Sequence, residues 1–89
     1  MEASVKIQLK YLVNLRDQAG RRQEDVSFPQ GSTLQDVAAW LNMQYAFALP
    51  NPRIMAIRNG RGWDQFPAQW ATLIQEGDLI CLFPPISGG

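Results

Sequence analysis

From Val5 the chain alternates. Val5, Ile7, Leu9, Tyr11 and Val13 fall on one side, and Lys6, Gln8 and Lys10 fall on the other. A period of two built from Val, Ile and Tyr predicts a half-buried strand whose lysines face solvent. The alternation stops at Asn14. Leu12, Leu15 and Ala19 then suit one short helical turn, with Gly20 to end it. Arg21-Arg22-Gln23-Glu24 is polar and turn-like, a solvated loop. Glu24 to Phe28 predicts a second strand with Val26 and Phe28 on one face, broken by Pro29-Gln30-Gly31. Strand, loop and strand of these lengths predict an antiparallel hairpin.

Next comes the one long helical pattern. Ser32 precedes it and Gln35 lies three positions on, the spacing of a capping box. Leu34, Val37, Ala38, Leu41 and Tyr45 recur at helical intervals as one apolar stripe. Trp40 and Phe47 lie off or at the edge of that stripe, which leaves open whether they widen the buried face or are exposed. Pro50-Asn51-Pro52 ends the pattern, giving a helix of about twelve to fourteen residues. Ile54 to Arg58 predicts a third strand, with Met55 and Ile57 alternating against Ile54 and Ala56. Asn59-Gly60 is the strongest turn signal in the chain, and Arg61-Gly62-Trp63 begins the return. Asp64 to Trp70 is irregular. Trp63 and Trp70 are expected near the core margin, each with a partner for its N–H. Glu76-Gly77-Asp78 is a tight turn before Leu79 to Phe83. That nearly all-apolar run predicts a central strand, buried on both faces or on one face against the helix. The elements predict an α+β domain over residues 1–83, a small mixed sheet with one main helix packed on one face.

Composition narrows the function. At 89 residues and 46% apolar content the chain suits one ordered domain with a modest core. Eight basic and eight acidic residues cancel, which gives no electrostatic case for nucleic acid or an anionic membrane. Arg53, Arg58 and Arg61 could form a local patch, or simply the basic ends of a solvated hairpin. No apolar run approaches the roughly 20 residues that span a bilayer. Met1-Glu2-Ala3-Ser4 does not resemble a signal peptide, so a cytoplasmic protein is expected.

Chemistry is scarce. There is no histidine, which removes the commonest general base and metal ligand. One cysteine with scattered carboxylates does not make a zinc site. That cysteine, Cys81, is expected to pack in the last strand as a small apolar group. Asp64, Glu76 and Asp78 sit in turn contexts, where capping or solvation is their expected role. Neither a GxGxxG nor a GxxxxGK[ST] pattern occurs, so no phosphate cradle is encoded.

What remains is residues 84–89, an extended tail ending in Gly-Gly. Pro84-Pro85 cannot continue a paired central strand and favours an extended exit. Extended, these six residues reach about 20 Å. At about 7% average glycine usage, a Gly-Gly end arises by chance in roughly one sequence in two hundred. A frayed terminus is the plain alternative. Without Cβ atoms, however, the tip passes a narrow channel and leaves the terminal carbonyl open to attack. Activation of that carboxylate by a partner's ATP, followed by attack of sulfur, would give a thioester or thiocarboxylate.

Element order and tail together resemble the ubiquitin-like β-grasp fold of prokaryotic sulfur carriers. Phe83-Pro84-Pro85-Ile86-Ser87-Gly88-Gly89, preceded by Glu76-Gly77-Asp78-Leu79, is most similar to the small subunits of molybdopterin synthases. The helix start at Gly31-Ser32-Thr33-Leu34 and the Asn59-Gly60 turn agree with it. Thiazole-synthesis carriers share the fold and the ending but are usually shorter and lack the double proline. The Trp63–Trp70 segment departs from the family by being bulkier and more aromatic.

The resemblance implies that an ATP-dependent adenylyltransferase adenylates the carboxylate of Gly89. A sulfur donor would then convert it to a thiocarboxylate. Phe83, Pro84, Pro85, Ile86, Ser87 and Gly88 would form the segment that enters the large subunit of the synthase, in a heterotetramer. There the sulfur would attack a pyranopterin precursor, two transfers building the dithiolene that binds molybdenum. The large subunit would supply the catalytic residues, and this chain alone would turn nothing over. No cofactor or metal is expected to be held stably, ATP being consumed by the activating partner. Apolar side chains on the sheet near Phe83 are the expected interface. The alternatives are a carrier for thiazole or tRNA thiolation, a ubiquitin-like modifier, or a plain binding module that would leave the tail unexplained.

Overall fold

The computed structural model describes residues 3–85. Strand β1 (Ser4–Tyr11) leads through helix α1 (Asn14–Ala19) to β2 (Gln23–Pro29). Helix α2 (Leu34–Tyr45) follows, then β3 (Met55–Arg58) and β4 (Arg61–Gly62). Two 3-10 turns, Trp63–Gln65 and Gln69–Ala71, lead to β5 (Leu79–Phe83). The strands form one sheet in the order β2-β1-β5-β3-β4. Only the β1–β5 pair is parallel. The last strand thus lies at the centre, hydrogen-bonded on both sides.

The alternation predicted for β1 holds through Tyr11: Ile7, Leu9 and Tyr11 are buried. In β5 the buried residues are Ile80 and Leu82. Leu34, Val37, Ala38 and Leu41 of α2 join them in a single core. Phe47, just past the helix, is wholly buried as well, whereas Trp40 is half-buried. Ala46 takes the left-handed conformation, and Phe47 donates its N–H back to the Leu41 carbonyl. This cap turns Phe47 into the core, which the helical stripe by itself did not specify.

The capping box forms one residue later than the sequence predicts. Thr33, not Ser32, is the N-cap: its side chain accepts from the Asp36 N–H, and Asp36 Oδ2 accepts from the Thr33 N–H at 2.8 Å. Tertiary pairing sets this frame. Thr33 bridges Leu73, Leu34 donates to the Thr72 carbonyl, and Ile74 donates to the Ser32 carbonyl. Ser32 is buried and its hydroxyl donates to the Pro29 carbonyl at 2.7 Å.

Further expectations are corrected. Asp78 is neither solvated nor a simple cap. It is buried, its carboxylate accepting from Arg58 Nε at 2.8 Å, the Gln75 N–H at 2.8 Å and Asn59 Nδ2 at 3.1 Å. Arg58 is therefore committed to an internal ion pair, and with Arg61 it lies over the Phe66 ring. Arg58 thus adds no free charge to a patch with Arg53 and Arg61. Trp63 is 2% exposed, inside the core rather than at its margin, and its N–H has no acceptor among the described residues. Trp70 does find one, Asp64 Oδ1 at 3.1 Å, and meets Trp63 edge to face.

Asn59-Gly60 behaves as predicted. Both residues have positive φ, 51° and 85°, as a type I′ hairpin turn requires. Asn59 also accepts from the Leu79 N–H, so the hairpin tip is tied to the start of β5. At the other end of the sheet Tyr11 and Tyr45 both donate to Glu24 Oε2. Burial, and then Glu24, raises both phenols above their ordinary value, Tyr11 the more strongly.

Replacing Thr33 by Ala should destabilise the fold by about 0.5–2 kcal/mol in chemical denaturation, whereas Gln35→Ala should have little effect. Asp78 has a pH signature. Burial by itself would raise its carboxyl, but the bonds from Arg58, the Gln75 N–H and Asn59 outweigh burial and hold it below the ordinary value. A lowered folded-state value means the stabilisation is complete above the unfolded carboxyl's range and is lost as pH falls through the folded value. Asp78→Asn leaves Arg58 buried without its counter-charge and should cost about 3 kcal/mol at neutral pH. The gap to wild type should close as the pH is taken below about 4, followed by urea melts at a series of pH values.

Candidate functional site: the base of the tail and the open sheet face

Among the described residues no group of three or more acidic or cysteine side chains could hold a metal ion. Glu76, like Asp64 and Asp78, has a structural partner: its Oε1 accepts the Lys6 N–H at 2.8 Å. All three carboxylates are engaged in contacts within the fold.

Of the residues expected to act, Phe83 closes β5 opposite Met55 of β3. Pro84 is half-buried and Pro85 is exposed. Ile86, Ser87, Gly88 and Gly89 lie outside the described residues. Because β5 is central and paired on both sides, it directs the chain away from the middle of the sheet edge. Pro84 lacks the N–H that another rung would need.

Strand β5 is buried on one face only. Leu79, Cys81 and Phe83 alternate with the buried Ile80 and Leu82 and are partly exposed on the side away from α2. Cys81 thus lies on the open face rather than in the core. Residues directly opposite in a ladder share a face. Cys81 stands between Lys10 and Ile57, Leu79 stands beside Gln8, and Phe83 stands beside Met55. Gln8, Lys10 and Lys6 are followed on β2 by Asp25, Gln23 and Ser27. The open face is therefore polar toward β2 and apolar toward β3 and the tail.

Leu12 and Val13 add to the apolar side. The strand pattern predicts an inward Val13. That expectation fails because β1 ends at Tyr11. The Leu12 N–H donates to the Leu82 carbonyl at 3.0 Å, and the chain then turns outward, leaving Leu12 43% and Val13 62% exposed. The predicted short helical turn forms as α1, with Gly20 as its C-cap, and its Leu15 and Ala19 are buried. Met55, 44% exposed, flanks the tail on the other side. Sequence reasoning noticed the Met55/Ile57 alternation but could not tell which of its faces was covered.

Beside Met55 a cleft of about 500 Å³ opens between the Leu49–Pro52 loop and the Trp63–Trp70 segment, walled by Pro50, Ile54, Trp63 and Trp70. The irregular aromatic segment thus forms one side of an apolar surface that adjoins the open face. No described helix is long and apolar enough to cross a membrane.

The architecture recurs in known structures. A candidate molybdopterin converting factor, subunit 1, from Pyrococcus furiosus is 22% identical, with a TM-score of 0.77 over 92% of this chain and 99% of that one. SAMP1 from Haloferax volcanii is 26% identical, with a TM-score of 0.72 over 94% of this chain and 99% of that one. The small archaeal modifier protein 1 from Methanosarcina acetivorans is 24% identical, with a TM-score of 0.72 over 98% and 99%. No curated protein sequence matches the chain. The ThiS family model matches residues 9–89, from the middle of β1 to the final glycine. A β-grasp domain with its central strand leading into a Gly-Gly end, matched over nearly its whole length, belongs to the ThiS family of ubiquitin-like sulfur carriers.

Proposed function

We propose that this sulfur carrier is the small subunit of a molybdopterin synthase. The observation that carries the reading is the end of β5: a central, doubly paired strand runs directly into Pro84-Pro85 beside an apolar open face. A carrier for thiazole synthesis does not need the stiff double proline. The likeness to the Pyrococcus furiosus protein supports the same choice, and its name suggests a partner large subunit.

The chemistry begins at the Gly89 carboxylate. A carboxylate oxygen attacks the α-phosphorus of ATP on the activating adenylyltransferase, forming the acyl-adenylate and releasing pyrophosphate. A sulfide-level donor attacks the carbonyl carbon, the C–S bond forms, AMP leaves, and the tip is a thiocarboxylate. Gly88 and Gly89 keep Cβ atoms out of the approach to that carbon. Phe83, Pro84, Pro85, Ile86 and Ser87 set the length and direction of the segment entering the large subunit, where the sulfur attacks the pyranopterin precursor. The apolar side of the open face, with Phe83, Met55 and Ile57, meets the large subunit around the channel mouth, as suits an obligate interface. The catalytic groups for the transfer belong to that subunit.

The likeness to SAMP1 from Haloferax volcanii favours a second reading, attachment of the Gly89 carbonyl to lysine amines. It shares the adenylate and differs in the nucleophile. Intact mass separates the two. With activating enzyme, ATP and a sulfur donor, the protein should gain the oxygen-to-sulfur difference of about 16 Da. An unchanged mass beside a demonstrably active enzyme would sink the carrier reading, and isopeptide-linked adducts would favour the modifier. A one-residue extension beyond Gly89 should abolish the gain while leaving the melting temperature unchanged, because the carboxylate is displaced from the activating site. Transfer by an extended chain whose extension is verified by mass would overturn the mechanism.

A further inference from the structure

The cleft beside Met55 has walls that are fixed in advance. On one side Trp70 donates its N–H to Asp64 Oδ1 and meets Trp63 edge to face, ring centroids 5.2 Å apart and planes at 82°. On the other side a tight turn is held from within. The Ile54 N–H bonds the Asn51 carbonyl at 3.0 Å, and the Arg53 N–H bonds Asn51 Oδ1 at 2.8 Å. Pro50, Pro52, Ile54 and Met55 face the tryptophans across about 500 Å³. A cleft of this size, apolar with few polar groups, has the character of a binding site. The role of the Gly-Gly tip leaves it unused.

The strand directions point to its occupant. Strand β3 runs antiparallel to β5, with Met55 opposite Phe83. The chain that leaves β5 after Phe83 therefore heads toward the chain that enters β3 before Met55. That incoming chain is the Asn51–Ile54 turn, one wall of the cleft. Pro84 is still half-buried against the domain. Neither proline has an N–H, so neither can add a rung to the ladder with β3. Side chains must hold whatever follows. Four residues follow, Ile86-Ser87-Gly88-Gly89, with a reach of about 13 Å. Ile86 carries the large apolar side chain among them. Any residue there would keep the length of the tail, but isoleucine adds area to bury. An extended Pro-Pro-Ile segment is the kind of ligand that aromatic-lined grooves take, because its backbone is stiff before it binds.

We propose that this cleft is a binding site for the chain's own tail: Ile86 sits among Pro50, Pro52, Ile54 and Trp70, leaving Gly88-Gly89 at the rim. A short tether gives the tail an effective concentration in the millimolar range, so a weak contact is enough to populate the docked form. One consequence follows for activation. A docked tail has to leave the cleft before an activating enzyme or a receiving subunit can take it. That consequence rests on the sulfur-carrier reading above; the docking itself does not.

The test follows the indole N–H signals of Trp63 and Trp70 in proton–nitrogen correlation spectra. Trp40, packed against Phe28 and Tyr45, is the internal control. Ile86→Ser in the full chain should move the Trp63 and Trp70 signals and leave that of Trp40 in place. Truncation after Pro85, which removes no strand or helix, should move them the same way. The acetylated hexapeptide of residues 84–89, added to the truncated chain, should return them saturably toward their full-chain positions. Its counterpart with serine at position 86 should bind about tenfold more weakly, the loss expected for one buried isoleucine side chain. Unmoved Trp63 and Trp70 signals on truncation would overturn the site, as would no saturable shift up to about 10 mM peptide. Equal binding of the two peptides would overturn Ile86 as the anchor. Full-chain shifts that depend on protein concentration would give the cleft to the tail of a second copy, and would overturn docking within one chain. Sulfur gain by intact mass is read separately. Docking without a mass gain leaves the site standing and the carrier reading fallen; a mass gain without docking does the reverse.

Discussion

Everything in this molecule depends on the two-sided pairing of β5. Five residues, Leu79 to Phe83, are hydrogen-bonded to β1 on one side and β3 on the other. A central strand cannot shift register without breaking two ladders and sending Ile80 and Leu82 to the open face. That makes β5 the most firmly located segment from which a tail could start. A reactive terminus needs a fixed origin, because a tip at the end of an unanchored chain would spend its binding energy on ordering.

The turns around β5 serve the same end. Asp78 gathers Arg58, Asn59 and the Gln75 N–H, joining the β3–β4 hairpin to the turn before β5. The Lys6 N–H is held by Glu76 and the Gly77 N–H by the Lys6 carbonyl, which ties that turn to β1 as well. In a domain with a modest core, these polar ties locate the start of the strand. The ion pair is not a free gain in stability, since burying two charges costs much of what their attraction returns. Its structural consequence is specificity of register. Asp64 and Glu76 are likewise engaged, accepting from the Trp70 indole N–H and the Lys6 N–H.

The elements were largely readable in advance, and the reasons differ by residue. Tyr11 and Ile7 announced β1 by alternation, Leu34 to Leu41 announced α2 by period, and Asn59-Gly60 announced its hairpin by the φ values it tolerates. The Gly-Gly ending stood out because its composition is rare. Ser32 was misread as the cap because two adjacent hydroxyl residues each stood ahead of a plausible partner. Long-range bridges of Thr33 to Leu73 and Leu34 to Thr72 decided between them. Val13 was misread because alternation does not say where a strand stops. Cys81 and Trp63 exchanged their expected places, one toward solvent and one into the core, as strand order and the two 3-10 turns dictated.

By itself the sequence determined the local elements and the α+β class, and it singled out the Gly-Gly ending. Hydrophobic period, turn chemistry and the absence of histidine are properties of residues read in order. Tertiary structure alone decided the strand order, the open face of β5, the internal role of Asp78 and the outward corner at Val13. Each of those depends on groups far apart in the chain: Lys6 with Glu76, Arg58 with Asp78, Leu12 with Leu82. Contacts across such separations are set by how whole elements pack, and no local window of sequence contains them.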